Sequence, residues 1–187
     1  VRALAQKLSD PEEVKRSGAF PYQLLAAYNA TKHNTEVPNE LTNALQEAVE
    51  IATQNIPRLP GNVYVAIDIS GSMRGAVTGD RGTATTAMSC VDVAALMAAS
   101  ILRKNKHAQV IPFAVAARPD IRLNPHDSIM TNTNNLAKHV GGGTACQAVL
   151  RYINENKFDN GANDVIIMIS DNESWFDLGS NKARDKW

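Results

Sequence analysis

The run Val63-Tyr64-Val65-Ala66-Ile67, followed at once by Asp68-Ile69-Ser70-Gly71-Ser72, constrains this chain more than any other segment. Five apolar, partly β-branched residues predict a strand buried on both faces, as in a parallel sheet covered by helices. At its carboxyl end stand one carboxylate and two hydroxyls, each two residues from the next. A buried strand has no packing use for them there. An all-oxygen cluster suits a hard divalent cation, which takes oxygen ligands and usually keeps some of its water. Gly71 lets the chain turn sharply, so that both hydroxyls can point back toward the carboxylate.

Two later segments supply matching ends. Gly141-Gly142-Gly143-Thr144 presents one hydroxyl just before a helical stretch. Asp164-Val165-Ile166-Ile167-Met168-Ile169-Ser170-Asp171 repeats the first pattern, an apolar run that ends in Ser-Asp, and predicts a second buried strand. Ligands of open α/β sheets bind in the crevice outside the carboxyl ends of the strands. Asp68, Ser70, Ser72, Thr144 and Asp171 therefore form a candidate cation site. Mg²⁺ is favoured, with Mn²⁺ or Ca²⁺ as substitutes. The competing reading is a pair of strand-ending turns capped by Ser and Asp.

Bulk properties narrow the function classes. With 187 residues, 44% of them hydrophobic, the chain can bury a core and is not a disordered segment. It carries 19 basic and 19 acidic side chains, so no global charge advertises a nucleic-acid partner. The balance also holds locally, with 6 basic against 7 acidic residues up to position 60 and 13 against 12 beyond. RNA binding would need a local patch. Cys90 and Cys146 are too few for a disulfide framework, and two small thiols in a reducing cytosol are the better expectation, although a bridge between them stays open. No apolar run is long enough to span a bilayer, and the first residues do not form a signal peptide. Val1 is not a natural start, which predicts a piece of something longer.

Residues 1–57 read as short helices. Asp10-Pro11-Glu12-Glu13 has capping-box spacing, and Gly18 stops the run. Phe20–Tyr28 starts a second helix. Leu41, Leu45, Ala48, Val49, Ala52 and Ile56 share one face of a third, from about Asn39 to Asn55. Residues 58–61 form a linker within the Pro57–Gly61 stretch. Residues 62–187 then alternate: a helix near Val91–Lys104, a strand at Gln109–Ala114 made irregular or edge-like by Pro112, a short extended run at Ile121–Leu123, and helices over 127–139 and 145–156. The expected fold is α/β, an open and mostly parallel sheet with helices on both faces. The polar segment Met73–Ser89 is a long loop at the binding face. His33, His107, His126 and His139 are scattered and read as solvated or core residues.

The cation motif resembles the metal-ion-dependent adhesion site of von Willebrand factor A domains: Asp-x-Ser-x-Ser after the first strand, a Thr in a later loop, an Asp after a later strand. That resemblance implies direct or water-mediated contact of Ser70, Ser72 and Thr144 with the ion, with Asp68 and Asp171 holding the ion and its waters. Phe20–Tyr28, the Pro57–Gly61 stretch, Asp68–Met73, Gly141–Cys146 and Ser170-Asp171-Asn172-Glu173-Ser174-Trp175 together resemble the Ro autoantigen family of TROVE-module proteins, bacterial members more than animal ones. Those proteins join a ring of helical repeats to an A domain. The resemblance implies the last ring helices followed by an A domain that lacks its final strands, leaving a strand edge unpaired. It also implies a noncatalytic, cytoplasmic ribonucleoprotein component that binds Y RNA and misfolded small noncoding RNA through the ring. No RNA-contacting residue can be assigned from it.

Two other classes remain. An adhesion-type module would accept a carboxylate from an acidic protein partner at the ion. An enzyme on a similar sheet is disfavoured: Ser70 stands where an aspartyl-phosphate phosphatase has its second Asp, and Gly141–Thr144 lacks the Lys of a phosphate-binding loop. No Ser/His/Asp set stands at readable spacing.

Overall fold

The computed structural model describes residues 1–32, 34–77, 88–156 and 164–173. Four helices come first: α1 (Arg2–Ser9), α2 (Pro11–Ser17), α3 (Pro21–Thr31) and α4 (Asn39–Ala52). Asp10 caps α2, its Oδ1 accepting from Glu12 N at 2.8 Å and Glu13 N at 3.2 Å. Pro11 fills the first helical position, where no N–H is needed. Gly18 ends the helix at φ 64°, in the left-handed region that favours glycine. The expectation of three helices is one short. The N-cap of α1 is Val1, which offers no side-chain acceptor and hence no start signal in the sequence.

Residues 53–62 carry the chain to the sheet. Buried Asn105 fastens this stretch: its Oδ1 accepts from Leu59 N at 2.8 Å and its Nδ2 donates to the Pro57 carbonyl at 3.3 Å. Strand β1 (Val63–Asp68) lies between β2 (Gln109–Phe113) and β3 (Val165–Ile169), and both pairings are parallel. Register sets Asp68 beside Phe113 and Ile67 beside Ile169, so the carboxyl ends of all three strands open on one side.

Alternation along β1 divides its side chains between two layers. Val63, Val65 and Ile67 pack with α5 (Cys90–Lys104), while Tyr64 and Ala66 pack with α7 (Gln147–Glu155). Strand order reverses at β1, so right-handed crossovers place α5 and α7 on opposite faces. Helix α6 (Ile129–Ala137) lies against α5. A further apolar cluster joins Leu24, Leu25, Ala48 and Val49 of the first helices to Met88, Leu96, Ala99, Ile129 and Met130. The first helices and the sheet layer thus share a core across the proline-containing stretch. Glu50 adds a polar tie, its Oε1 accepting from Ile129 N at 2.8 Å and its Oε2 lying 3.5 Å from Arg103 Nε.

Two expectations change. β3 was expected to be buried, yet Ile166 is 44% and Met168 39% exposed. The cluster around α7 takes its sheet residues from β1 and β2, leaving that face of β3 uncovered by described residues, while Ile167 and Ile169 pack into the α5 layer. The run 121–123 is not a strand. Ile121 is buried, but residues 114–118 fold back on the β2 edge first, with Arg118 N donating to the Pro112 carbonyl at 2.7 Å and a bridge between Phe113 and Ala117. Pro112 does sit on an edge strand among the described residues, where its missing N–H is tolerated.

Candidate metal centre

The candidate site begins where β1 ends. Asp68 is fully buried, and Ser70 nearly so. Asp68 Oδ1 accepts from Ser70 N at 2.8 Å, which bends the chain back over the carboxylate. The hydroxyls of Ser70 and Ser72 lie 3.1 Å apart. Beyond Ser70 the chain enters a short 3-10 turn, Gly71–Arg74, and Ser72 faces solvent.

Backbone bonds stitch the glycine-rich loop to this turn. Gly71 N donates to the Gly142 carbonyl and Gly141 N to the Ile69 carbonyl, each at 2.8 Å. The approach is close enough to favour glycine: a Cβ on residue 71 would meet the Gly142 carbonyl oxygen at 3.3 Å, a tight contact. Gly142 itself takes φ +86°. Ala145 N then donates to the Ala114 carbonyl at 2.9 Å, fixing the loop above β2. Between these anchors lies Thr144, 1% exposed, whose Oγ1 has no hydrogen-bond partner among the described residues.

The third segment arrives with β3. Ser170 Oγ donates to Asp68 Oδ2 at 2.8 Å, tying the ends of β1 and β3 together. Asp171 follows, half-buried, with its Oδ1 accepting from Glu173 N at 3.1 Å. The Asp171 charge reaches Cys90 at the start of α5: burial first, and that carboxylate second, push the Cys90 thiol above its ordinary value.

All five sequence-derived residues thus lie on three segments that meet at the carboxyl end of the sheet. Direct bonds join Asp68, Ser70 and Ser72; Thr144 comes through the glycine loop, and Asp171 through its neighbour Ser170. Ser170, which is not among those five, takes part as well. Its signal was its place at the end of the second apolar run, next to Asp171.

The chemistry of the set fits a hard cation. A fully buried carboxylate needs a counter-charge or dense hydrogen bonding. Among the described residues no basic side chain pairs with Asp68. A buried hydroxyl without a partner costs free energy comparable to a lost hydrogen bond, and Thr144 is in that position. No group of three or more His, Cys, Asp or Glu side chains arranged for a metal occurs among the described residues, so within them an ion here would draw on hydroxyl oxygens as well as carboxylates. His107, His126 and His139 are all exposed, and neither cysteine is in a disulfide. His33 and most of the Met73–Ser89 loop, at 78–87, lie outside the described residues.

A parallel sheet wound on both faces, with Asp-x-Ser-x-Ser at the end of its central strand, defines a von Willebrand factor A domain. The family model of the Ro60 vWA domain matches residues 62–183, and the chain belongs to that family. It is 27% identical over 184 residues to the RNA-binding protein RO60 of Deinococcus radiodurans, covering 94% of this chain and 33% of that protein. The crystal structure of the Deinococcus radiodurans RO (RSR) protein superposes with a TM-score of 0.65 at 23% identity, over 95% of this chain and 36% of that one. That likeness concerns the fold. The chain spans about a third of the length of these relatives. No helix among the described residues is long and apolar enough to cross a membrane.

Proposed function

We propose that this chain belongs to a noncatalytic, cytoplasmic RNA-binding ribonucleoprotein component whose A domain holds a divalent cation, with Mg²⁺ favoured over Mn²⁺ or Ca²⁺. Ser70, Ser72 and Thr144 would supply hydroxyl oxygens, directly or through water. Asp68 and Asp171 would balance the charge and orient the ion's waters. One observation carries the cation reading: among the described residues the buried Asp68 carboxylate pairs with no basic side chain, and the buried Thr144 hydroxyl on the adjoining glycine-rich loop has no hydrogen-bond partner. An ion held by these residues would supply a counter-charge to the buried Asp68.

Two things support the RNA reading: membership in the Ro60 vWA family and similarity to a relative named as an RNA-binding protein. The chemistry expected of the partner is small noncoding RNA, Y RNA or misfolded RNA. The even charge of this chain favours contacts made by the helical ring of the longer protein, away from the cation. Asp171→Ala is therefore expected to weaken Mg²⁺ binding in calorimetry while leaving the RNA affinity of the full-length protein within about threefold. Interdependent sites would show a coupling of about 1–3 kcal/mol instead. Filter binding at fixed salt, in magnesium and in chelator, decides. A large chelator-dependent loss of RNA affinity in the wild type that vanishes in Asp171→Ala overturns the separation.

A second reading has its own support. Ser72 is exposed, so an ion held here would keep an open side. A carboxylate from an acidic protein partner would fit that side, as in adhesion-type A domains. Magnesium-dependent binding of an acidic peptide, lost in Asp68→Ala, would favour it.

A further inference from the structure

We infer that Ser170 is a positioning residue of the cation site, setting the orientation of both of its carboxylates. The inference rests on the cation reading above and concerns a side chain to which that reading gives no role. Ser170 Oγ donates to Asp68 Oδ2 at 2.8 Å and accepts from Asn172 N at 3.1 Å. The two bonds together define the hydroxyl's direction. With its oxygen occupied by the Asn172 amide, its single proton is left for Asp68.

Asp68 is thereby held at both oxygens, by Ser70 N on its own strand end and by Ser170 from β3. A carboxylate gripped on both sides cannot rotate to follow an ion. An ion bound here would meet a carboxylate whose orientation the protein has already set. Asp171 lies between Ser170 and Asn172, the residue whose amide donates to the Ser170 hydroxyl. The turn that carries it closes through the Asn172 amide, with Asn172 at φ 63°, and through Glu173 N on Asp171 Oδ1. One hydroxyl therefore sets the rotation of the first carboxylate and the curvature of the backbone that presents the second. Partners of this kind, one shell beyond the ligands, typically change metal affinity by about 10–100-fold when removed.

The test is calorimetric Mg²⁺ titration of the wild-type chain and of Ser170→Ala, Ser170→Cys and Ser170→Thr. Each is measured well below its unfolding temperature, with circular dichroism confirming the folded state. Loss of stability alone leaves the Kd of a folded protein unchanged. Ser170→Ala is expected to weaken Mg²⁺ binding by about 10–100-fold. Ser170→Cys, which keeps the shape but is a weak donor, is expected to weaken it as well. Ser170→Thr keeps the hydroxyl and is expected to bind within about threefold of wild type. If Ser170→Ala does not fold, the contrast between Cys and Thr carries the test. Wild-type affinity in both Ala and Cys variants overturns the inference and leaves the cation reading standing. Equal weakening in the Thr and Cys variants also overturns it, because the hydroxyl would then not be the cause. Absence of Mg²⁺ binding by the wild type overturns the cation reading and this inference together.

Discussion

Thr144→Val isolates the one atom in the candidate site that has the least reason to be there in an ion-free protein. Thr144 is 1% exposed and its Oγ1 has no hydrogen-bond partner among the described residues. Leaving a buried polar group unsatisfied costs about 1–3 kcal/mol. Valine keeps the branched shape and replaces that hydroxyl with a methyl. In chelator the variant should therefore be more stable than wild type by about 1 kcal/mol, at the lower end because small shifts of the loop relieve part of the cost. For a chain of this size that corresponds to a melting temperature higher by about 2–4 °C. In Mg²⁺ the order should reverse. A ligand at a hundred times its Kd adds about 2.7 kcal/mol to the folded state, and only the wild type has the full set of oxygens to bind it. Urea unfolding at two conditions, chelator and millimolar Mg²⁺, measures both signs in one experiment. A variant destabilised by 1 kcal/mol or more in chelator, or one that gains as much from Mg²⁺ as the wild type, would refute the reasoning.

Three further outcomes follow from the packing and the local charges. Leu25 is fully buried in the cluster that joins the first helices to α5 and α6, so Leu25→Ala should cost about 2–5 kcal/mol and lower a single calorimetric transition; two separate transitions would show that the helices and the sheet layer do not share a core. Asp10→Ala removes the acceptor for two backbone amides of α2 and should cost about 0.5–2 kcal/mol, seen as faster hydrogen exchange in that helix with little change elsewhere. Burial, then the nearby Asp171 charge, raise the Cys90 thiol. Its alkylation by iodoacetamide should accordingly need a higher pH than an ordinary thiol, and Asp171→Asn should move that midpoint downward, since removing a negative charge eases thiolate formation; an unchanged midpoint would remove Asp171 as a cause.

Sequence patterns revealed most where a local rule fixes the outcome. The Val63–Ile67 run, the Asp10 cap and the alanine-rich α5 each follow from periodicity or capping, and their bounds fall within a few residues of expectation. The five candidate oxygens were legible because each closes an apolar run or a glycine turn. Long-range relations were not. Nothing along the chain says that Leu24 and Val49 pack with Leu96 and Ile129, because that contact joins four helices, α3 to α6, whose separate patterns do not name their partners. The exposure of Ile166 and Met168 was hidden for the converse reason: a continuous apolar run predicts burial on both faces, while the cover on each face comes from other elements. Ser170 was visible as a residue but not as a link, since its partner Asp68 is 102 residues away and only the parallel pairing of β1 with β3 brings them together.

Helix α5 has two masters. Val91, Ala94, Ala95, Ala98, Ile101 and Leu102 face the sheet, while Leu96 and Ala99 face the first helices, and Arg103 reaches Glu50 from the end of that second side. Its run of alanines keeps the helix narrow enough to be packed from both directions. Mutational tolerance along it should therefore be sharply uneven. A saturation library spanning Cys90–Lys104 ought to accept change at exposed Met97 and Lys104, and to reject bulk at Ala95, Ala98 and Ala99, where an added methylene has no layer into which to move.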